Sequence, residues 1–232
     1  MPAKRKPKEP KIDKAPEPQR RRAARVYKRL QERYPDAHCA LIHDNPFQLL
    51  VATILSAQCT DVLVNKVTPP LFAALPTPQK MADAELATIE SHVNRVNFWR
   101  NKAKNLHAMA NLLVEDYGSE VPQTMEDLIK LPGAARKTAN VVLGNAFNIN
   151  HGVVVDTHVG RLSRRFGFTE HDDPKKIERD LMALFPRKNW CMLSHLLIYH
   201  GRQVCKARHA LCADDAICRA YCANAKEQVL DQ

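Results

Sequence analysis

Leu131-Pro132-Gly133-Ala134-Ala135-Arg136-Lys137-Thr138-Ala139-Asn140 decides how the rest of this 232-residue chain is read. Upstream of it, Thr124 and Asp127 have the N-cap and N3 spacing of a capping box, so Met125 to Lys130 is predicted as a short helix stopped by Pro132. Downstream, Ala139, Val142, Leu143 and Ala146 recur at i, i+3, i+4 and i+7, which marks one buried helical face. The product is two helices joined by a Pro-Gly hairpin. The first-turn N–H groups of the second helix find no intrahelical partner and suit an anionic oxygen, which makes Gly133, Ala135 and Arg136 candidate phosphate contacts.

Lys137 falls in that first turn, where the positive end of the helix dipole and Arg136 disfavour further positive charge. This favours a neutral, nucleophilic amine able to form a Schiff base. A surface lysine touching a phosphate is the simpler reading, and the hairpin alone leaves both open. Beyond it, Val153-Val154-Val155-Asp156-Thr157-His158 is an apolar run that stops at a carboxylate. Asp156 has the place of an N-cap for a helix from Thr157 to Phe166, and a cap facing a cleft can also serve chemistry.

From Val26 onward the patterning is helical, without sustained strand alternation apart from the short run at Val153. Asn45-Pro46 supplies an N-cap and first-turn proline for a buried helix through Phe47, Leu49, Leu50 and Ile54. That helix ends in Ser56-Ala57-Gln58-Cys59-Thr60-Asp61, placing Gln58 in a short loop. Pro69-Pro70 is expected to bend the chain. Phe98-Trp99 is an aromatic pair in a basic loop before another helix; it reads either as core packing or as a wedge that separates base steps.

Charge is concentrated at the start. Met1 to Arg29 holds twelve Lys or Arg against three acids, a net of +9 out of +10 for the whole chain. With five prolines and few large apolar residues, residues 1–25 are expected to be a disordered basic tail that can add non-specific affinity for DNA, or merely solubilise. Nothing resembles a secretory signal or a membrane span, so a reducing cytosol is expected. Near the other end, Cys205, Cys212, Cys218 and Cys222 have the spacing C-x6-C-x5-C-x3-C. Disulfides do not fit that compartment, and the C-x2-C element usual for zinc is absent. Four thiolates in one short segment suit a [4Fe-4S] cluster. Lys206 and Arg208, between the first two cysteines, are candidate contacts to a phosphate backbone.

Taken together, the hairpin with Arg136-Lys137-Thr138-Ala139-Asn140, the Val155-Asp156-Thr157-His158 stretch, the Leu55-Ser56-Ala57-Gln58 segment and the cysteine group stand in the order of a known family. The chain resembles the endonuclease III group of bifunctional DNA glycosylases over roughly residues 28 to 225. The resemblance implies an all-α, two-lobed helix-hairpin-helix fold with a C-terminal iron-sulfur loop. Expected bounds are 26–45 with 149–232 for one lobe and 46–148 for a helical barrel. It further implies a monomeric base-excision-repair enzyme of the bacterial cytoplasm and nucleoid, acting on damaged double-stranded DNA that carries oxidised pyrimidines.

In that reading Lys137 is the amine that attacks C1′ and Asp156 the carboxylate that supports it. Gln58 enters the duplex beside the extruded nucleotide, and Phe98 is the wedge with Trp99 packed beneath it. The sequence departs from the family in three places, the first being that Lys137 to Asp156 is one residue longer than the family's spacing, which a loop around Asn148 to Gly152 can absorb. Ala134-Ala135 stands where a glycine is commoner second, at a cost of roughly 1 kcal/mol if Ala135 needs a positive φ. Asp215 and Tyr221 occupy the third and fourth cysteine positions of the family's C-x6-C-x2-C-x5-C spacing. Two alternatives follow: a catalytically silent DNA-binding protein of the same fold, or a monofunctional glycosylase, whose family members lack a lysine at the position of Lys137.

Overall fold

A computed structural model describes residues 12–223, and these are all-α, with twelve α-helices and no strand among the described residues. They divide into two compact units, Cys39–Ile149 and a second that joins residues 12–38 to residues 150–223. The first unit therefore begins at Cys39, seven residues before the boundary expected at residue 46.

In the first unit, α2 (Pro46–Ser56) starts where Asn45 accepts a hydrogen bond from the Gln48 N–H at 3.0 Å, and Leu49 to Ala52 are fully buried. Next, α3 (Asp61–Ala74) is capped by Thr60 and continues through Pro69 and Pro70, which sit inside the helix rather than at a bend. An interior proline costs about 3 kcal/mol. The burial of Val64, Val67, Thr68 and Leu71 on either side holds the helix together.

Short helices α4 (Pro78–Ala82) and α5 (Leu86–Val93) lead to α6 (Trp99–Tyr117), the longest helix of this unit, closed by Gly118 at φ 58°. The hairpin follows as α7 (Met125–Leu128) and α8 (Arg136–Phe147). Thr124 accepts from the Asp127 N–H at 3.1 Å, and its hydroxyl donates to the Asp127 carboxylate at 2.7 Å, a variant of the expected box. Ala139, Val142 and Leu143 form the buried face of α8, and Asn148 ends it at φ 54°.

The second unit begins with α1 (Glu17–Arg33). This corrects the expected tail: residues 17–25 are helical, Ala23 and Val26 are buried, and residues 1–11 lie outside the described residues. Arg22 donates to the Phe166 carbonyl and, at 2.8 Å, to that of Tyr221, so partners far along the chain hold this basic stretch in helix. Helices α9 (Thr157–Arg165), α10 (Pro174–Leu184) and α11 (Trp190–Gln203) supply Leu162, Leu181, Leu193 and Leu197 to the core that also buries Leu30 and Phe166. A last helix, α12 (Ala216–Tyr221), runs through the cysteine segment.

Candidate nucleic-acid interface and cysteine centre

The hairpin of the first unit is built around Gly133. Its φ is +81°, and a Cβ there would lie 3.1 Å from both Ile54 Cγ2 and Asn105 Cβ. Glycine is thus required by backbone conformation and by close packing against α2 and α6 together. Ala135, by contrast, has φ −81° and ψ 171°, so the condition for a strain cost is not met. It is the N-cap of α8 and its methyl supplies no side-chain cap to the first-turn N–H groups, as suits a helix start that is to receive an anion. Gly133, Ala135, Arg136 and Lys137 are all exposed, while Thr138 directly after them is buried.

Gln58 lies in the exposed turn after α2, and Phe98, 62% exposed, immediately precedes α6. Both adopt left-handed backbone, with φ 52° and 57°, at a cost of about 1–2 kcal/mol each for a residue bearing a Cβ. Trp99 packs against the core with the Arg100 guanidinium 4.1 Å above its ring.

Two further residues join these elements. The Asn97 side chain donates to the Gln58 carbonyl at 2.7 Å, and Lys102 Nζ donates to the carbonyls of Leu55 at 2.8 Å and Ala57 at 2.6 Å. Lys102 is only 6% exposed, and burial pushes its ammonium below the usual lysine range. Sequence reasoning missed both. Lys102 falls in register with Leu106, Met109 and Leu113 on the buried face of α6, a periodicity that could have flagged it. Since Gly133 packs on Ile54 near the end of α2 and on Asn105 in α6, the hairpin, Gln58 and Phe98 belong to one end of this unit.

In the second unit Asp156 is the N-cap of α9, half-buried, and accepts from the Val159 N–H at 2.7 Å. Arg161, Arg164 and Arg165 follow on that helix. Arg161 donates to the carbonyls of Gly201 and Cys205, each at 3.0 Å, and Arg165 to the Lys206 carbonyl at 2.8 Å; Arg164 pairs with Asp172. Two of the three guanidiniums thus fasten the loop that carries Lys206 and Arg208, both exposed.

All four cysteines of the C-terminal group are buried, with their Sγ atoms within 4.8 Å of one another. The unusual spacing has a local cause. Asp215, in place of a cysteine, caps α12 by accepting from the N–H groups of Ile217 and Cys218 at 3.0 and 2.9 Å, and pairs with Arg33 at 3.4 Å. That helix puts Cys218 and Cys222 at i and i+4, on one face.

Hydrogen bonds from Cys218, Cys222 and then Arg165, which reaches Cys205 Sγ at 3.1 Å, hold the Cys205 thiol well below its usual range. The hydrogen bond that each gives to Cys205, with burial and then the Cys205 charge behind it, pushes Cys218 upward and Cys222 up to about 12. Four buried sulfurs packed this closely cannot all carry negative charge without a cation among them. Binding metal resolves this by ionising the set, so the donor chemistry fits a metal cluster.

Comparison with known proteins agrees with this arrangement. Residues 51–187 match the family described as HhH-GPD superfamily base excision DNA repair protein. Endonuclease III of Synechocystis sp. is 52% identical over 195 residues, 84% of this chain and 89% of that protein. A solved non-covalent endonuclease III–DNA complex matches with TM-score 0.85 and 39% identity, over 91% of this chain and 98% of its own. A trapped endonuclease III–DNA covalent intermediate matches with TM-score 0.84 and 39% identity, over 90% and 98%.

Proposed function

The chain belongs to the endonuclease III family of base excision DNA repair enzymes, and from that footing we propose that it is a bifunctional glycosylase and AP lyase for oxidised pyrimidines. Lys137 Nζ attacks C1′ of the damaged nucleotide; the bond from C1′ to the base breaks, and the base leaves with a proton. Ring opening gives a protonated imine between Lys137 and the sugar. Loss of a C2′ proton then expels the 3′ phosphate oxygen, which nicks the strand by β-elimination. Asp156 stabilises positive charge developing on the sugar and assists the proton transfers.

The observation that carries this reading is the exposed placement of Lys137 in the first turn of α8, beside the packed Gly133. The covalent enzyme–DNA intermediate described for a relative at 39% identity supports it. Backbone contacts come from Gly133, Ala135, Arg136, Lys206 and Arg208, while Gln58 and Phe98 enter the stack. The catalytically silent alternative rested on Ala135 and on the displaced cysteines. Ala135 is unstrained and the cysteines converge, so neither favours it.

Cys205, Cys212, Cys218 and Cys222 are the residues that would hold a [4Fe-4S] cluster. Bound there, it supplies a rigid anchor for the Lys206–Arg208 loop and takes no part in bond breaking. No described helix is long and apolar enough to cross a membrane. A monomer acting on double-stranded DNA in the bacterial cytoplasm, at the nucleoid, completes the proposal.

Borohydride reduction with a duplex containing thymine glycol tests it. Wild-type protein is expected to give a covalent adduct and a nicked strand, and Lys137→Gln neither. An adduct undiminished in Lys137→Gln rejects the assignment.

A further inference from the structure

We propose that Asn97 and Lys102 are positioning residues that fasten the Gln58 loop to the start of α6, so that Gln58 and Phe98 enter a duplex as one preformed wedge. The inference rests on the roles given above to Gln58 and Phe98, and adds what keeps them in place. Gln58 and Phe98 sit in left-handed backbone at the two ends of different helices, a conformation that persists only where surrounding structure over-determines it.

Two sets of bonds provide that determination. Asn97, the neighbour of Phe98, holds the Gln58 carbonyl at 2.7 Å and thereby couples the two inserting residues directly. One turn into α6, Lys102 donates to Leu55 and Ala57 at the carboxyl end of α2, the segment from which Gln58 projects. The α2 end carries carbonyls without intrahelical donors and the negative pole of its dipole. A buried ammonium there answers both.

Burying that charge among neutral carbonyls is unfavourable, as the downward displacement of its ionisation shows. A cost of this kind at a surface loop is understandable where the loop must be stiff. Stiffness matters because an extruded nucleotide leaves a gap that the wedge has to fill without first being ordered. A loop that became ordered only during extrusion would add its entropy loss to the barrier.

The test separates extrusion from chemistry. Single-turnover excision is measured on a thymine glycol paired within a duplex and on the same lesion in a short unpaired bubble, where stacking is already lost. Asn97→Ala, at an exposed position that folding tolerates, is expected to slow the paired substrate about tenfold and the bubble less than about twofold. Lys102→Met keeps the apolar stem and is expected to show the same selectivity more strongly. Equal losses on both substrates, or no loss on the paired one, would overturn the proposal. Absence of any adduct or excision by the wild-type protein on either substrate would instead sink the glycosylase reading on which it stands.

Discussion

Substituting Gly133 by alanine attacks the hairpin at the one place where two requirements coincide. With φ at +81°, an added Cβ costs about 1–2 kcal/mol through backbone strain. The same atom would stand 3.1 Å from Ile54 Cγ2 and Asn105 Cβ, and neither belongs to a flexible side-chain end, so overpacking adds about 1–3 kcal/mol. A total of roughly 2–5 kcal/mol lowers the melting temperature by about 4–20 °C in a protein of this size. Calorimetry on Gly133→Ala reads that directly. The companion variant is Ala135→Gly, since residue 135 lies at φ −81° and needs no glycine. It is expected to change stability by less than about 1 kcal/mol, because the added freedom of the unfolded chain and the better N-capping by glycine oppose one another. A Gly133→Ala protein that melts with the wild type, or an Ala135→Gly protein destabilised as much as Gly133→Ala, would refute this account of the hairpin.

Further outcomes follow from the second unit. Ala23→Glu places a carboxylate at a position 1% exposed and is expected to destabilise the protein by about 3 kcal/mol or more in denaturant titration, whereas a disordered tail would give no change. Burial first, and the His38 charge second, push His195 down to about 4 from its ordinary 6.5. Its folded pKa lies below the unfolded one, so the stability it contributes is complete above pH 6.5 and is lost as pH falls toward 4, on the order of 3 kcal/mol. His195→Gln should flatten that slope relative to wild type, and an unchanged slope counts against the assignment. Aerobically purified wild-type protein is expected to contain iron and acid-labile sulfide in equal amounts, with visible absorption lost in Cys218→Ser. Zinc in place of iron would reject the cluster type.

What the sequence revealed and what it hid divide along the range of the interactions. The Thr124 cap, the Asn45-Pro46 start, the turn at Gln58 and the Asp156 cap depend on neighbours within four residues, and each was legible. The start of α1 at Glu17 was not, because the partners of Arg22 lie 144 and 199 positions away. Pro69 and Pro70 signal a bend by propensity alone, and only the packing of Val64, Val67 and Leu71 keeps them helical. The spacing of the last two cysteines departs from the family pattern until α12 is known, after which it is an i, i+4 pair on a helix capped by Asp215. Lys102 was hidden for a different reason: a charged residue on an apolar face reads as an exception, and its carbonyl partners 45 and 47 positions earlier supply the explanation.

Mass spectrometry of the borohydride-reduced complex, after digestion of both protein and DNA, examines the reacting nitrogen itself. The account expects the reduced deoxyribose remnant on the peptide that contains Lys137, at that side chain. A remnant on any other residue, or an unmodified Lys137 peptide alongside efficient strand cleavage, would contradict it.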